Sequence, residues 1–556
     1  MSSVAEPAET SSGLGRASAL LASGTIVSRI LGFVRVVVLA AAIGQIASAS
    51  ADAFGAANQL PNNIYALVAG GVLSAVLVPQ IVRAGLNDDG GQRFINRIIT
   101  LGVVIFLGVT VVATLAAPAL VTLYVQQAGS GGKGFSPEAM SLATTFAYWC
   151  LPQIFFYALY SLLSEVLNAR NIFGPFTWAP VLNNVVSIAG LVAFMALFGG
   201  AESNSSAEGW GLDRILLLAG TATLGIAAQA LVLFLFWRRA GLRYRPEFRW
   251  RGVGLGAAGR AAGWLFGMIL VMQIGALVST RVATLGSAQG ASVATLGASW
   301  LVFMLPHSVV AVSIATVYFT RMSGHAARGD LVAVRADLSS SLRGIGLLIV
   351  FSMVALAVVA YPFARFFEDK HGNVIATGNV ILAYLPGLVL YSALFVIQRV
   401  FYALDDTRTA FVMQCVYTVV YIAGALACAA LPAQWIGVGL ALVTAFSGTV
   451  QAVIAIVLVR RRLGGMDGAL VLRRHLQYFG LALISGVVGI GVLVLLGGIS
   501  PDGFVLSGRL QALISIALIG TSMAAVYAGL LLLVRNPELA GVASMIRTRF
   551  RPGTSE

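Results

Sequence analysis

Apolar residues in this chain recur in runs far longer than a strand or a soluble helix requires. They lie near 17–44, 54–82, 98–125, 139–167, 178–199, 212–237 and 261–287 in the first half. The second half continues with 291–320, 341–363, 379–404, 410–431, 434–459, 476–499 and 509–534. Each run meets the roughly 20 residues, at about 1.5 Å each, that a helix needs to cross hydrocarbon. The pattern predicts an all-α polytopic membrane protein of about 14 transmembrane helices. No other segment is long enough to form a globular domain.

One run breaks the rule that spans are apolar. Between Ala17 and Gly44 it carries Arg29 and Arg35. A charged side chain near the centre of a spanning helix costs on the order of 2.5–3.5 kcal/mol on insertion scales. Snorkelling to an interface is one way out, yet Arg29 lies about 18 Å along the helix from Ala17. The two residues differ in facing by about 120°. They therefore suit a broad wall of a water-filled cavity, and a cationic cavity implies an anionic cargo.

Composition agrees with a lipid-solvated chain. Hydrophobic residues make up 58% and charged residues 10%, against about 25% charged in a soluble domain. Cys150, Cys415 and Cys428 each sit in an apolar run and fit neither a disulfide framework nor a metal spacing. No cleavable signal peptide is evident. The net charge of +14 is mostly topology signal. Arginines crowd alternate loops, as at Arg238, Arg239, Arg243, Arg245, Arg249, Arg251 and Arg260, and at Arg460, Arg461 and Arg462. The positive-inside rule makes those loops and both termini cytoplasmic. The basic, aromatic stretch Arg243-Tyr244-Arg245…Phe248-Arg249-Trp250 reads as an interfacial loop facing anionic lipid, with no nucleic-acid role.

An internal echo organises the runs. Asn168-Ala169-Arg170…Val185-Val186-Ser187-Ile188-Ala189-Gly190 is matched by Tyr402-Ala403-Leu404…Val419-Val420-Tyr421-Ile422-Ala423-Gly424 at an offset of 234. Two similarly oriented six-helix lobes are expected, with the last two helices added. The organisation is a disordered cytoplasmic tail 1–16, an N-terminal lobe 17–239, a basic loop 240–260 and a C-terminal lobe 261–462. Helices 13 and 14 at 463–535 and a cytoplasmic tail 536–556 complete it. Transporters built this way hold cargo between lobes and rock them.

The stretch Val27-Ser28-Arg29-Ile30-Leu31-Gly32-Phe33-Val34-Arg35 resembles the first-helix signature of the MurJ/MviN family. Ala51-Asp52-Ala53-Phe54, Leu60-Pro61-Asn62, Val78-Pro79 and the turn Arg399-Val400-Phe401-Tyr402-Ala403-Leu404-Asp405-Asp406-Thr407-Arg408-Thr409 are further matches. The resemblance implies a lipid II flippase of the multidrug/oligosaccharidyl-lipid/polysaccharide exporter superfamily, in a bacterial plasma membrane. Such a protein moves the undecaprenyl-pyrophosphate-linked peptidoglycan precursor from the inner to the outer leaflet. It also implies that the last two helices form a groove for the polyprenyl tail. Expected partners are lipid II, membrane lipids and other cell-wall synthesis proteins. No cofactor, metal or catalytic residue is expected.

Carried over by position, Arg29 and Arg35 match arginines implicated in engaging the pyrophosphate. Asp52 matches an acidic residue near the extracytoplasmic gate, with helix N-capping as its structural alternative. Gln59 stands where many relatives have a basic residue, and Asn62 accompanies it as a binding candidate. Tyr65 and Leu301 stand where relatives carry arginines. Arg281, deep in the seventh helix, is the candidate to compensate, or else pairs with a backbone carbonyl or sits near the outer interface. Gly32, Pro61 and Pro306, with Gly70-Gly71 and Pro79, are candidate hinges or simply tolerated kinks. His307 and Cys150 read as packing groups. The alternatives are a flippase for another polyprenyl-linked polysaccharide unit, or a multidrug exporter of the same superfamily. The latter would favour buried carboxylates over buried arginines.

Overall fold

The computed structural model describes residues 11–69, 81, 84, 89–129, 132–170, 172–249, 255–287 and 289–539. Residues 1–10, Gly70-Gly71, Val78-Pro79, Arg251 and the tail from residue 540 lie outside the described residues. Among the described residues fourteen long helical elements follow in order. They are α1 Ser11–Ile43, α2 Ala49–Ala69, α3 Gln92–Leu115, α4 Pro137–Ala169, α5 Phe173–Phe198, α6 Leu212–Phe236 and α7 Leu255–Ala283. Then come α8 Val293–Ala327, α9 Leu331–Val358, α10 His371–Ala403, α11 Thr407–Cys428, α12 Ala433–Arg462, α13 Gly468–Leu495 and α14 Arg509–Leu533. All but α2 contain, among the described residues, a stretch long and apolar enough to span a membrane. No strand occurs among the described residues; one isolated bridge pairs Gln127 with Phe135.

The element ends follow from local chemistry that hydropathy does not register. Helix α1 starts at Ser11, ahead of the apolar run. Gly13 and Gly15 are weak helix formers, so this first turn and a half depends on propagation from the apolar run behind it. Helix α2 starts at Ala49 because Ser48 Oγ accepts the Ala51 N–H at 3.2 Å. Ser48, not Asp52, is therefore its N-cap. Helix α9 begins at Leu331, ten residues ahead of its apolar run, because Asp330 accepts the Ala333 N–H at 2.9 Å.

The chain divides into two compact units. The first comprises Met1–Gly44, Ser48–Ala128 and Phe135–Gln273; the second comprises Gln45–Ala47, Gly129–Gly134 and Ile274–Glu556. The division thus falls inside α7. Within the first unit α1 packs on α5, α5 on α6, α2 on α4, and α3 on the second half of α4. A core of Ile95, Ile99, Leu162, Leu163, Val166 and Leu233 forms where α3, α4 and α6 meet. The α5–α6 contact needs a small residue: a Cβ on Gly190 would stand 2.5 Å from Thr221 Cβ.

Within the second unit α9 is central, contacting α8, α10 and α13. Helices α13 and α14 are bonded into this unit. Ser485 Oγ donates to the Met523 carbonyl at 2.7 Å, and Tyr527 donates to the Leu347 carbonyl at 2.8 Å. At its polar edge, Arg343 pairs with Glu538 at 2.9 Å and Arg335 with Asp467 at 2.6 Å.

The internal repeat has a structural counterpart. Helix ends Ala169 and Ala403, and helix starts Phe173 and Thr407, are each 234 residues apart. Both preceding spans are interrupted at a Leu-Pro step, Leu151-Pro152 and Leu385-Pro386. A proline removes one ladder bond and crowds the preceding turn, so the two halves carry the same irregularity at the same place.

Candidate functional site

In the first unit, α1 presents Ile26, Ile30 and Val34 as an exposed apolar stripe suited to acyl chains. At about 100° per residue, Arg29 lies roughly 100° and Arg35 roughly 140° from the centre of that stripe. Both guanidinium groups are half-buried and turned off the lipid-suited side. Neither forms an ion pair or side-chain hydrogen bond among the described residues. Arg35 lies about 12 Å from the Ile43 end of α1, and Arg29 about 21 Å, so both sit at membrane depth.

The surroundings of Arg35 are aromatic. Tyr157 of α4 interacts with it electrostatically. Tyr157 stacks on Tyr65 of α2 with centroids 5.8 Å apart, and Tyr65 reaches Phe106 of α3 at 6.3 Å. Tyr65 lies near Ser161 and within electrostatic reach of Glu165. A path of polar groups thus runs from Arg35 through two tyrosines to a half-buried carboxylate. Tyr157 and Glu165 were not among the residues expected from sequence. An isolated acidic residue inside a span was the signal for Glu165, by the same cost argument that singled out Arg29.

Polar side chains hold α1 and α2 in place. Asn184 of α5 donates to the Ser28 carbonyl at 2.9 Å, next to Arg29. Gln153 bridges Asn58 and Thr223, each at 3.0 Å. Gln273 of α7 donates to the Asn63 carbonyl at 2.8 Å.

The other expected residues of this unit are dispersed. Asp52 is fully buried in the first turn of α2. Gln59 and Asn62 are exposed, about two and three turns further along. Pro61 lies within α2 without ending it. Gly32 lies in an unbroken helix, where an added Cβ would make an ordinary 3.8 Å contact with Asn184 Nδ2.

In the second unit, Arg281 is half-buried near the end of α7. It is engaged by neighbouring groups, and its carbonyl accepts from Thr284 at 2.7 Å. Pro306 precedes a wide turn at His307–Ala311 inside α8. His307 is buried and bonded to Ser392 at 3.1 Å, as a packing histidine should be. Arg399 of α10 stands over Phe395 at 4.6 Å, with Phe319 and Tyr402 further out. Its motif neighbours are structural: Asp406 caps α11 by accepting the Thr409 N–H at 3.1 Å, and Asp405 adopts a left-handed φ of 56°. Among the described residues no group of three or more His, Cys, Asp or Glu could hold a metal ion.

The family model described as lipid II flippase MurJ matches residues 39–507. The match begins after Arg29 and Arg35, so their assignment rests on helix geometry and the local motif. A probable lipid II flippase MurJ of Haemophilus influenzae is 28% identical over 454 residues, covering 77% of this chain and 82% of the relative. Its counterpart in Rhizobium meliloti is 26% identical over 401 residues, covering 70% and 71%. Among solved structures, a lipid II flippase MurJ in an inward closed conformation matches with TM-score 0.69 at 20% identity, over 92% of this chain and 99% of that one. An inward-facing MATE-family multidrug transporter of the MOP superfamily matches with TM-score 0.62 at 16% identity, over 79% and 94%. The fold is therefore shared with drug exporters, while the family model spans most of the chain. This chain belongs to the lipid II flippase MurJ family of multi-pass membrane transporters.

Proposed function

We propose that this protein translocates lipid II, the undecaprenyl-pyrophosphate-linked peptidoglycan precursor, from the inner to the outer leaflet by alternating access. The observation that carries the reading is the pair Arg29 and Arg35, half-buried at membrane depth, with no carboxylate partner among the described residues. A pyrophosphate bears about two negative charges, and burying them without compensation is prohibitive. Guanidinium groups replace lost water with charge-assisted, bidentate hydrogen bonds. Their rigid forks lose less freedom on binding than a lysine would. The polyprenyl tail stays in lipid or against α13 and α14, so only the headgroup needs enclosure.

Arg281 is proposed as a third anion contact, with Asp52, Gln59 and Asn62 meeting the headgroup near the extracytoplasmic end. Pro61 and Pro306, with Gly32, are proposed to bend as the cavity changes side. Alternation requires a second set of contacts favouring the other state. Both termini are read as cytoplasmic from the arginine-rich links.

The test is depletion of this protein in its native cell, followed by an externally added probe that modifies outer-leaflet lipid II. Accumulation of lipid II shielded from the probe is the expected result. Unchanged accessibility, with accumulation of a different shielded polyprenyl-linked saccharide, would replace the proposed cargo.

A further inference from the structure

Away from the arginines of α1, the first unit carries an open cleft of about 450 Å³ at the start of α3. It is lined by Arg93, Arg243 and Arg245 together with Gln92 and Asn96, and by Asp89 and Glu247. We propose that this cleft binds a phosphate anion, carried on a phospholipid headgroup of the adjoining leaflet or on a soluble phosphate ester.

The site is built by a strap. Residues 242–247 form neither helix nor turn and lie against the first turns of α3, with burial alternating from Leu242 to Arg245. Leu242 is buried and Tyr244 half-buried, while Arg243 and Arg245 are exposed. The strap is pinned at several points. Gln92 Nε2 donates to the Arg243 carbonyl at 2.6 Å, and the Arg243 N–H donates to Gln92 Oε1 at 3.1 Å. Tyr244 meets Thr100 Oγ1 at 3.1 Å, and that oxygen accepts the Glu247 N–H at 3.0 Å. The turn leading into α3 uses Gly90 and Gly91 at φ of +59° and +79°, a conformation costly for other residues. Arg170 donates to the Gly90 carbonyl and fixes that turn.

The charge balance of the cleft favours an anion. Its two carboxylates are already used. Asp89 accepts the backbone N–H groups of Gly91 and Arg93, each at 3.0 Å, and Glu247 pairs with Arg97 at 2.7 Å. Arg243 and Arg245 make no side-chain bond among the described residues. Asn96 lines the cleft wall and accepts from Gln92 Nε2 at 3.1 Å. A phosphate oxygen can accept from the amide side chains of the wall while the arginines supply the countercharge. The volume lies within the range of small-ligand sites. Phe248 is 65% exposed just beyond the strap, as expected of an aromatic anchor at a membrane interface.

The test uses the full-length protein in detergent, titrated with phosphatidylglycerol or phosphatidylcholine and read by native mass spectrometry. The variants are R243Q/R245Q and, as a control for general basic attraction, R461Q/R462Q. Preferential retention of phosphatidylglycerol, reduced roughly tenfold by R243Q/R245Q and unchanged by R461Q/R462Q, supports a lipid ligand. No lipid preference, but thermal stabilisation by sodium glycerol 3-phosphate that R243Q/R245Q abolishes, supports the soluble ester. R243K/R245K, which keeps charge but not the planar fork, should retain part of either effect. Equal lipid retention by all variants with no effect of glycerol 3-phosphate, or equal loss in both glutamine variants, overturns the proposal.

Discussion

Asn184 donates its side-chain amide to the carbonyl oxygen of Ser28 at 2.9 Å, fixing α1 against α5 one residue before Arg29. The bond couples packing to the proposed cargo contact, because the rotation of α1 sets where Arg29 points. Replacing Asn184 with Leu leaves the Ser28 carbonyl with one partner fewer in a dry contact, at about 1–2 kcal/mol. The thermal midpoint in detergent should fall, and complementation of a flippase-depleted strain should weaken although no charge is lost. Full complementation would show that the arginine tolerates a freely rotating helix.

Helix α11 depends on its cap. Asp406 accepts from both the N–H and the hydroxyl of Thr409, at 3.1 and 2.8 Å. Asp406→Ala should cost about 1 kcal/mol of stability, while Asp406→Asn should cost much less. Thermal unfolding of the two variants side by side distinguishes capping from a role in transport: equal losses would point away from the cap.

Glu368 gives the chain a pH dependence outside the membrane spans. Burial pushes its carboxyl up to about 7, with Asp369 adding to the rise. Hydrogen bonds from the Ile46 N–H at 2.9 Å and from Asn373 at 3.2 Å, with the Lys370 charge, work in the other direction. The folded value exceeds the ordinary one of about 4.3. The folded state therefore holds its proton more tightly than the unfolded chain, and stability is lost as pH rises towards and through 7. Between about pH 5 and pH 8 the thermal midpoint of the natural protein should drop relative to Glu368→Gln. Parallel curves for the two would contradict this assignment.

Arg281 separates two accounts of its position. If it contacts cargo, Arg281→Ala should abolish complementation while the protein still reaches the membrane at normal abundance. Undiminished complementation would remove it from the anion site and leave it a structural partner of its neighbours.

The membrane class, the helix count and the repeat offset were legible because long apolar runs report burial in lipid directly. Helix starts were less legible: Ser48 and Asp330 extend α2 and α9 beyond their apolar runs through single side-chain bonds. Arg29 and Arg35 stood out because charge inside a span is costly. Tyr157 did not, and Tyr65 was noted only as the place of a missing arginine, since aromatic residues are ordinary in such helices and only packing brings the two together near Arg35. The strap 242–247 read as an interfacial loop; its cleft arises from pairing with Gln92, more than a hundred residues away, which no local pattern announces.

The central claim is that the two α1 guanidinium groups carry the pyrophosphate. The direct measurement is outer-leaflet accessibility of lipid II in cells whose sole copy is R29Q/R35Q, matched for membrane abundance to the natural protein. The account predicts that lipid II accumulates out of reach of an external probe, and that R29K/R35K recovers only part of the exposure. Normal exposure in R29Q/R35Q would contradict it.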